Sequence, residues 1–202
     1  MTPSFVRLLK LHIAQNSVNE KTLKRLASDD NVEVRIEVAH NPKTPIFVLA
    51  KLSHDPFPEV RAQVARDSNA PAICLSELAN DDNIIVLSEL AKNQHLPYDV
   101  SIKLAQNPSL YVRSNLASNR QLFIDAYLIL AKDPAYIIRQ ALAKNKSAPV
   151  EVLRILSHDL QHHVRLEVAK NPATPKSILE FLVVDSCKEV RDAAKLSMKA
   201  NF

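Results

Sequence analysis

The chain of 202 residues contains no glycine and no tryptophan, and only two cysteines. The missing glycine excludes the most chemistry. Loops that cradle phosphate, dinucleotide turns and the serine elbow of hydrolases all use glycine so that backbone can approach a ligand or take positive φ. The Walker, Rossmann and G-x-S-x-G signatures are therefore absent. Cys74 and Cys187 are too few for a disulfide scaffold or a four-cysteine metal site, which points to a reducing, cytoplasmic setting. No apolar run approaches the ~18 residues of a membrane span, so no membrane partner is expected. The opening "MTPSFVRLLKLHIAQN" lacks a signal-like apolar core and is read as part of the fold. With 26 basic against 22 acidic residues the net charge is only +4, which permits acidic partners without demanding them.

What is present is a period. Arginine recurs at 35, 61, 113, 139, 165 and 191, always 26 residues apart or twice that, with Leu87 at the missing rung. An acidic column follows the same spacing through Asp29, Asp55, Asp81, Asn107, Asp133, Asp159 and Asp185. A proline column runs through 45, 71, 97, 149 and 175, interrupted by Phe123. A fixed period between 20 and 50 residues marks a solenoid. Within one unit, "DDNVEVRIEVAHN" puts Val34 and Val38 on one helical face, and "TPIFVLAKLSHD" gives a second helix with Val48, Leu49 and Leu52 buried. Thr44 is placed to cap that second helix and Pro45 to take its first position. The first helices end at Asn41, Asp67, Asn93, Asn119, Asn145 and Asn171, residue types that tolerate a left-handed cap where glycine is unavailable.

The stretches "LASDDNVEVRIEVAHNPKTPIFVLAKL" and "LSHDLQHHVRLEVAKNPATPKSILEFL", with weaker copies between, resemble the leucine-rich repeat variant family and, more broadly, HEAT-like helical repeats. That resemblance implies an all-α, right-handed α-solenoid of about seven 26-residue two-helix repeats that binds on its face. The whole chain is expected to be one domain, with residues 1–19 as an N-terminal half-repeat, 20–195 as the repeats and 196–202 as a C-terminal cap. Lys195, where other units have alanine, suits such a cap. Some family members carry a cysteine cluster ahead of the repeats. Nothing here matches it, so an iron–sulfur function does not carry over.

The arginine and aspartate columns are read as structural. Leu87 and Asn107 lack their charges in consecutive repeats. If each arginine pairs with the aspartate of the following repeat, both losses fall on one pair, whereas pairing within a repeat would orphan Asp81 and Arg113. Inter-repeat pairing, Arg35 with Asp55, is the prediction.

Helical geometry turns Glu33, Ile36, Glu37 and His40 outward. The Glu33 column continues Glu59, Ile85, Tyr111, Ile137, His163 and Glu189, apolar in three middle repeats and polar outside them. Ile84, Leu110 and Tyr136 precede these and are at angles that could serve packing. An exposed apolar stripe rimmed by charge marks a protein partner. Ile85, Tyr111 and Ile137 are the candidate anchors, with Glu59, Glu89, Lys92, Lys144 and His163 as the rim. The alternative is a nucleic-acid or other polyanion site on the same face through Arg66, Lys92, Lys144 and Lys170. Cations at helix C-termini also complement the dipole without any ligand.

Catalysis finds no support. Ser, His and Asp fall mostly in repeat columns, and the HEAT-like DNA glycosylases and bilin lyases offer only a remote analogy. "SHDLQHHV" gathers His158, Asp159, His162 and His163, but spans a turn, so no metal or cofactor is expected. Cys74 belongs to the core column of Val48. The expectation is a non-catalytic protein-binding scaffold, monomeric or weakly self-associating.

Overall fold

The computed structural model describes residues 3–201. Among them lie fifteen α-helices and no strand. The first helices of successive repeats are α1 (Pro3–Asn16), α3 (Val32–His40), α5 (Pro58–Arg66), α7 (Ile84–Lys92), α9 (Leu110–Ala117), α11 (Tyr136–Lys144), α13 (His162–Lys170) and α15 (Lys188–Asn201). The second helices are α2 (Glu20–Leu26), α4 (Ile46–Leu52), α6 (Ala72–Leu78), α8 (Tyr98–Ala105), α10 (Ile124–Leu130), α12 (Val150–Leu156) and α14 (Lys176–Leu182). The all-helical repeat expected from the sequence is what forms.

The chain makes two compact units, one up to Val100 and one from Ser101, with the boundary inside α8. In the first, α1 packs on α3, α3 on α5 and α5 on α7. In the second, α9, α11, α13 and α15 stack in the same way. Second helices such as α4 and α12 touch the first helices on either side of them. Val34 and Val38 are fully buried against Val48, Leu49 and Leu52 in the first unit, and Ile138 and Leu142 against Val152, Leu153 and Leu156 in the second. Each such side chain contributes about 1.5–3 kcal/mol on burial. Cys74 lies in this core, and burial pushes its thiol up, which keeps it inert.

The arginines bridge neighbouring repeats as predicted. Arg35 Nε and Nη2 donate to the Asp55 carboxylate at 2.7 and 3.0 Å, while Nη1 donates to the Asp29 carbonyl of its own repeat at 2.8 Å. Arg61 holds Asp81 likewise in the first unit; Arg113, Arg139 and Arg165 hold Asp133, Asp159 and Asp185 in the second. Lys10 of α1 meets Asp29 at 2.6 Å, so the first rung is also filled. Each aspartate has a second task. Its Oδ1 accepts the amide two residues on, from Phe57 onto Asp55 at 3.0 Å, forming the turn that starts the next first helix. Asn107 keeps this turn, accepting from Ser109 at 2.9 Å, without a charge. Burial opposes the charge on Asp55, yet the Arg35 guanidinium and the Phe57 amide outweigh it and hold its carboxyl below the usual carboxylate range.

Two expectations are corrected. The described residues include no positive φ, and Asn41 ends α3 in extended backbone at φ −69°. Its side chain works instead as a two-way connector: Oδ1 accepts from Lys43, and Nδ2 donates to the Ala14 and Ser17 carbonyls of the preceding repeat at 2.7 and 2.9 Å. Asn93, Asn145 and Asn171 donate backwards in the same way. Nor does Thr44 cap α4. Its hydroxyl donates to the Val38 carbonyl at 2.5 Å, and Pro45 occupies the cap position, not the first turn.

The end of the chain departs from the repeat. Positions 197–201 read SMKAN without proline, so α15 runs on through the segment expected to be a separate cap, and Ser197 takes the asparagine's place by donating to the Ala169 carbonyl at 2.7 Å. Lys195 is exposed on it. Residues 1, 2 and 202 of the two terminal segments lie outside the described residues.

Arg35 and Asp55 are only 9% and 6% exposed, so Arg35→Met strands a buried carboxylate. It is expected to lower unfolding free energy by about 3–5 kcal/mol at neutral pH. Because pairing depresses the Asp55 pKa, its contribution is present above the unfolded value of about 3.9 and is lost as pH falls through the lower folded value. The gap between wild type and variant in urea titrations therefore closes in acid. Asp67 stands in the asparagine column but has no amide to donate. Asp67→Asn should raise stability by about 1 kcal/mol by reaching the carbonyls of Ala39 and Asn41, the counterparts of those that Asn93 reaches at 2.8 and 2.9 Å. An unchanged urea midpoint for Asp67→Asn would show that the asparagine amide adds nothing to repeat stacking.

Candidate functional site

With the core positions and both ladders assigned, the side chains left outside are those the repeat does not need. In the second unit, α9, α11 and α13 stack so that their first turns lie side by side. Tyr111 is 74% exposed and Ile137 49%, and the adjoining Leu110 and Tyr136 are also about half exposed. Next along, the His163 ring lies 6.3 Å from Tyr136 and 3.9 Å from His162. The second unit thus carries a patch of two aromatic and two aliphatic side chains ending in two histidines. In the first unit, Ile85 at the start of α7 is 50% exposed, with Ile84 beside it. Glu89 and Lys92 follow Ile85 one and two turns along the helix, and exposed Glu59 holds the equivalent position on α5. These residues form before any ligand arrives, because Val86, Val112 and Ile138, one position on, are locked in the core.

The basic column is less positive than it reads. Lys92 Nζ sits 2.6 Å from Glu89, Arg66 Nε 3.9 Å from the same carboxylate, and Lys144 Nζ 3.8 Å from Glu167. Lys92 meets a glutamate of its own helix, whereas Arg66 and Lys144 each meet the glutamate of the next repeat, a contact the column alignment does not reveal. Glu89 Oε2 is buried and accepts no hydrogen bond. Among the described residues only Lys170 of the four lies beyond 4 Å of any carboxylate, and it lines a groove of about 650 Å³ between α13 and α15 with Leu166 and Leu196. The described residues bring no three His, Cys, Asp or Glu side chains together as metal ligands. His158 stacks on Phe181 at 4.4 Å, with its Nδ1 3.0 Å from the Arg154 carbonyl. Exposed Phe181 and its neighbours on the second helices were not singled out by the sequence, since the 26-residue columns there are irregular.

Fold and surface together define a helical-repeat scaffold. More particularly, residues 32–57 match the model of the leucine rich repeat variant family. The chain shares the fold of a solved leucine-rich repeat variant protein, at TM-score 0.62 and 23% identity over 93% of this chain and 81% of that one. A designed armadillo repeat protein aligns over 96% of this chain and 99% of its own at TM-score 0.35 and 17% identity. Another, solved in complex with the peptide (KR)4, aligns at TM-score 0.28 and 18% identity over 96% and 90%. No curated protein matches the chain. No helix among the described residues is long and apolar enough to cross a membrane.

The exposure pattern predicts opposite outcomes for neighbouring substitutions. Tyr111→Ser is expected to shift stability by no more than about 0.5 kcal/mol, whereas Ile138→Ala, in the core, should cost about 2–5 kcal/mol. Equal losses in thermal unfolding would mean that Tyr111 is part of the packing.

Proposed function

We propose that the chain is a non-catalytic scaffold that binds another protein on the exposed face of its first helices. The observation that carries this reading is the patch of Leu110, Tyr111, Tyr136 and Ile137 in the second unit. All four side chains stay exposed outside the buried core, and aromatic residues at a rimmed apolar surface are the usual anchors of a protein interface. His163, Lys144 and Glu167 border them and would set specificity. Ile85, with Glu59, Glu89 and Lys92, serves as a further anchor and rim in the first unit. The partner is expected to present apolar side chains, since Lys92 and Lys144 on this face are already matched by carboxylates. A cytoplasmic setting goes with this reading and rests on the free cysteines, one of them buried in the core.

The test is quantitative capture from nuclease-treated source lysate, comparing the wild type with Tyr111→Glu/Ile137→Glu and, separately, with Ile85→Glu, each shown to unfold at the wild-type midpoint. A protein retained by the wild type should drop at least tenfold with the double variant, consistent with losing two anchors of about 1–2 kcal/mol each. Capture that survives both variants sinks the assignment.

A further inference from the structure

On the second-helix side of the first unit, α2 and α4 enclose a groove of about 380 Å³. Lys21, Lys24, Arg25 and Lys51 line it together with Ser28 and the ring of Phe47, and no acidic residue does. Lys24 Nζ lies 5.7 Å from the centre of the Phe47 ring, and Lys51 Nζ bonds the Ser28 hydroxyl. None of these four cations lies within 4 Å of a carboxylate among the described residues, in contrast to Arg66, Lys92 and Lys144 on the first-helix face.

The repeat does not require this charge. α2 is held by Leu23 and Leu26 in the core, and the positions of Lys21, Lys24 and Arg25 become Ile73, Ser76 and Glu77 two repeats later. Three cations in the seven residues of α2, facing a fourth on α4, repel one another until an anion enters. Lysine and arginine suit phosphate oxygens. The half-exposed Phe47 ring adds a flat apolar surface next to them, which a bare anion would not use and a base would. The volume is at the small end for ligand sites.

We propose that this groove binds a nucleotide unit of a single-stranded nucleic acid, with phosphates held by Lys24, Arg25 and Lys51 and a base against Phe47. The site is separate from the proposed protein-binding face, and either can fail without the other.

The experiment is fluorescence anisotropy on the full chain with a labelled ten-nucleotide oligouridylate, with ATP and inorganic tripolyphosphate as competitors. Lys24→Ala/Arg25→Ala/Lys51→Ala is expected to weaken binding at least tenfold. Lys132→Ala/Lys146→Ala/Lys176→Ala removes the same charge from exposed positions of the second unit and should stay within twofold. Phe47→Ala should weaken the oligonucleotide about fivefold or more and leave tripolyphosphate unaffected. Three phosphate contacts on a single strand predict a loss of roughly 20-fold between about 50 and 200 mM salt. Equal loss in the control variant, or no effect of Phe47→Ala, overturns the proposal. So does ATP or tripolyphosphate binding that matches the oligonucleotide, or preferential binding to phosphatidylserine vesicles.

Discussion

A helix of seven to nine residues leaves about half of its backbone groups without intrahelical partners, because four amides and four carbonyls are orphaned at its ends. A protein built from such helices, without glycine for its caps, must answer those groups some other way. Asn145 shows the solution: its Oδ1 turns the chain by accepting from Ser147, and its Nδ2 satisfies the carbonyls of Ala117 and Asn119 in the repeat before. Arg139 does the same with charge, tying the Asp133 carbonyl at 2.6 Å to the Asp159 carboxylate. One side chain per helix end thus supplies both the local cap and the contact between repeats, which is why the spacing of these residues is so strict.

That economy separates framework from surface. The two ladders and the Val and Leu positions hold each repeat in register, so the outward positions can change without loss of fold. Apolar side chains collect on the first helices of the second unit, and cations collect around Phe47 in the first. Between Leu87 and Asn107 the charged ladder lapses while the turn at Asn107 persists, and the chain divides into its two compact units between those positions. The asparagine keeps the helix start and omits the charge that would have no partner.

Much of the fold was legible because a repeat reports the same constraint several times. A single Arg35 could pair with anything, but six arginines and six aspartates with one shared gap allowed the partner to be named from spacing. The caps were misread for the opposite reason. Left-handed and extended asparagines look identical in sequence, and only the position of the carbonyls of the preceding repeat shows that the amide is a donor across the stack. Thr44 and Pro45 stand one position earlier than expected, and the Thr44 hydroxyl donates to the Val38 carbonyl at the end of α3 instead of accepting from the amides of α4.

The sequence by itself determined the period, the helix pair and which residues go inside, since these follow from local periodicity and from matching charges 20 residues apart. The tertiary structure decided what the outside can do. Arg66 and Lys24 are equally basic on paper. Only the packing of α5 on α7 brings Glu89 toward Arg66, and only the pairing of α2 with α4 leaves Lys24, Arg25 and Lys51 around a groove without an acid. A net surface charge depends on distances of a few ångströms between residues of different repeats, which spacing along the chain does not contain.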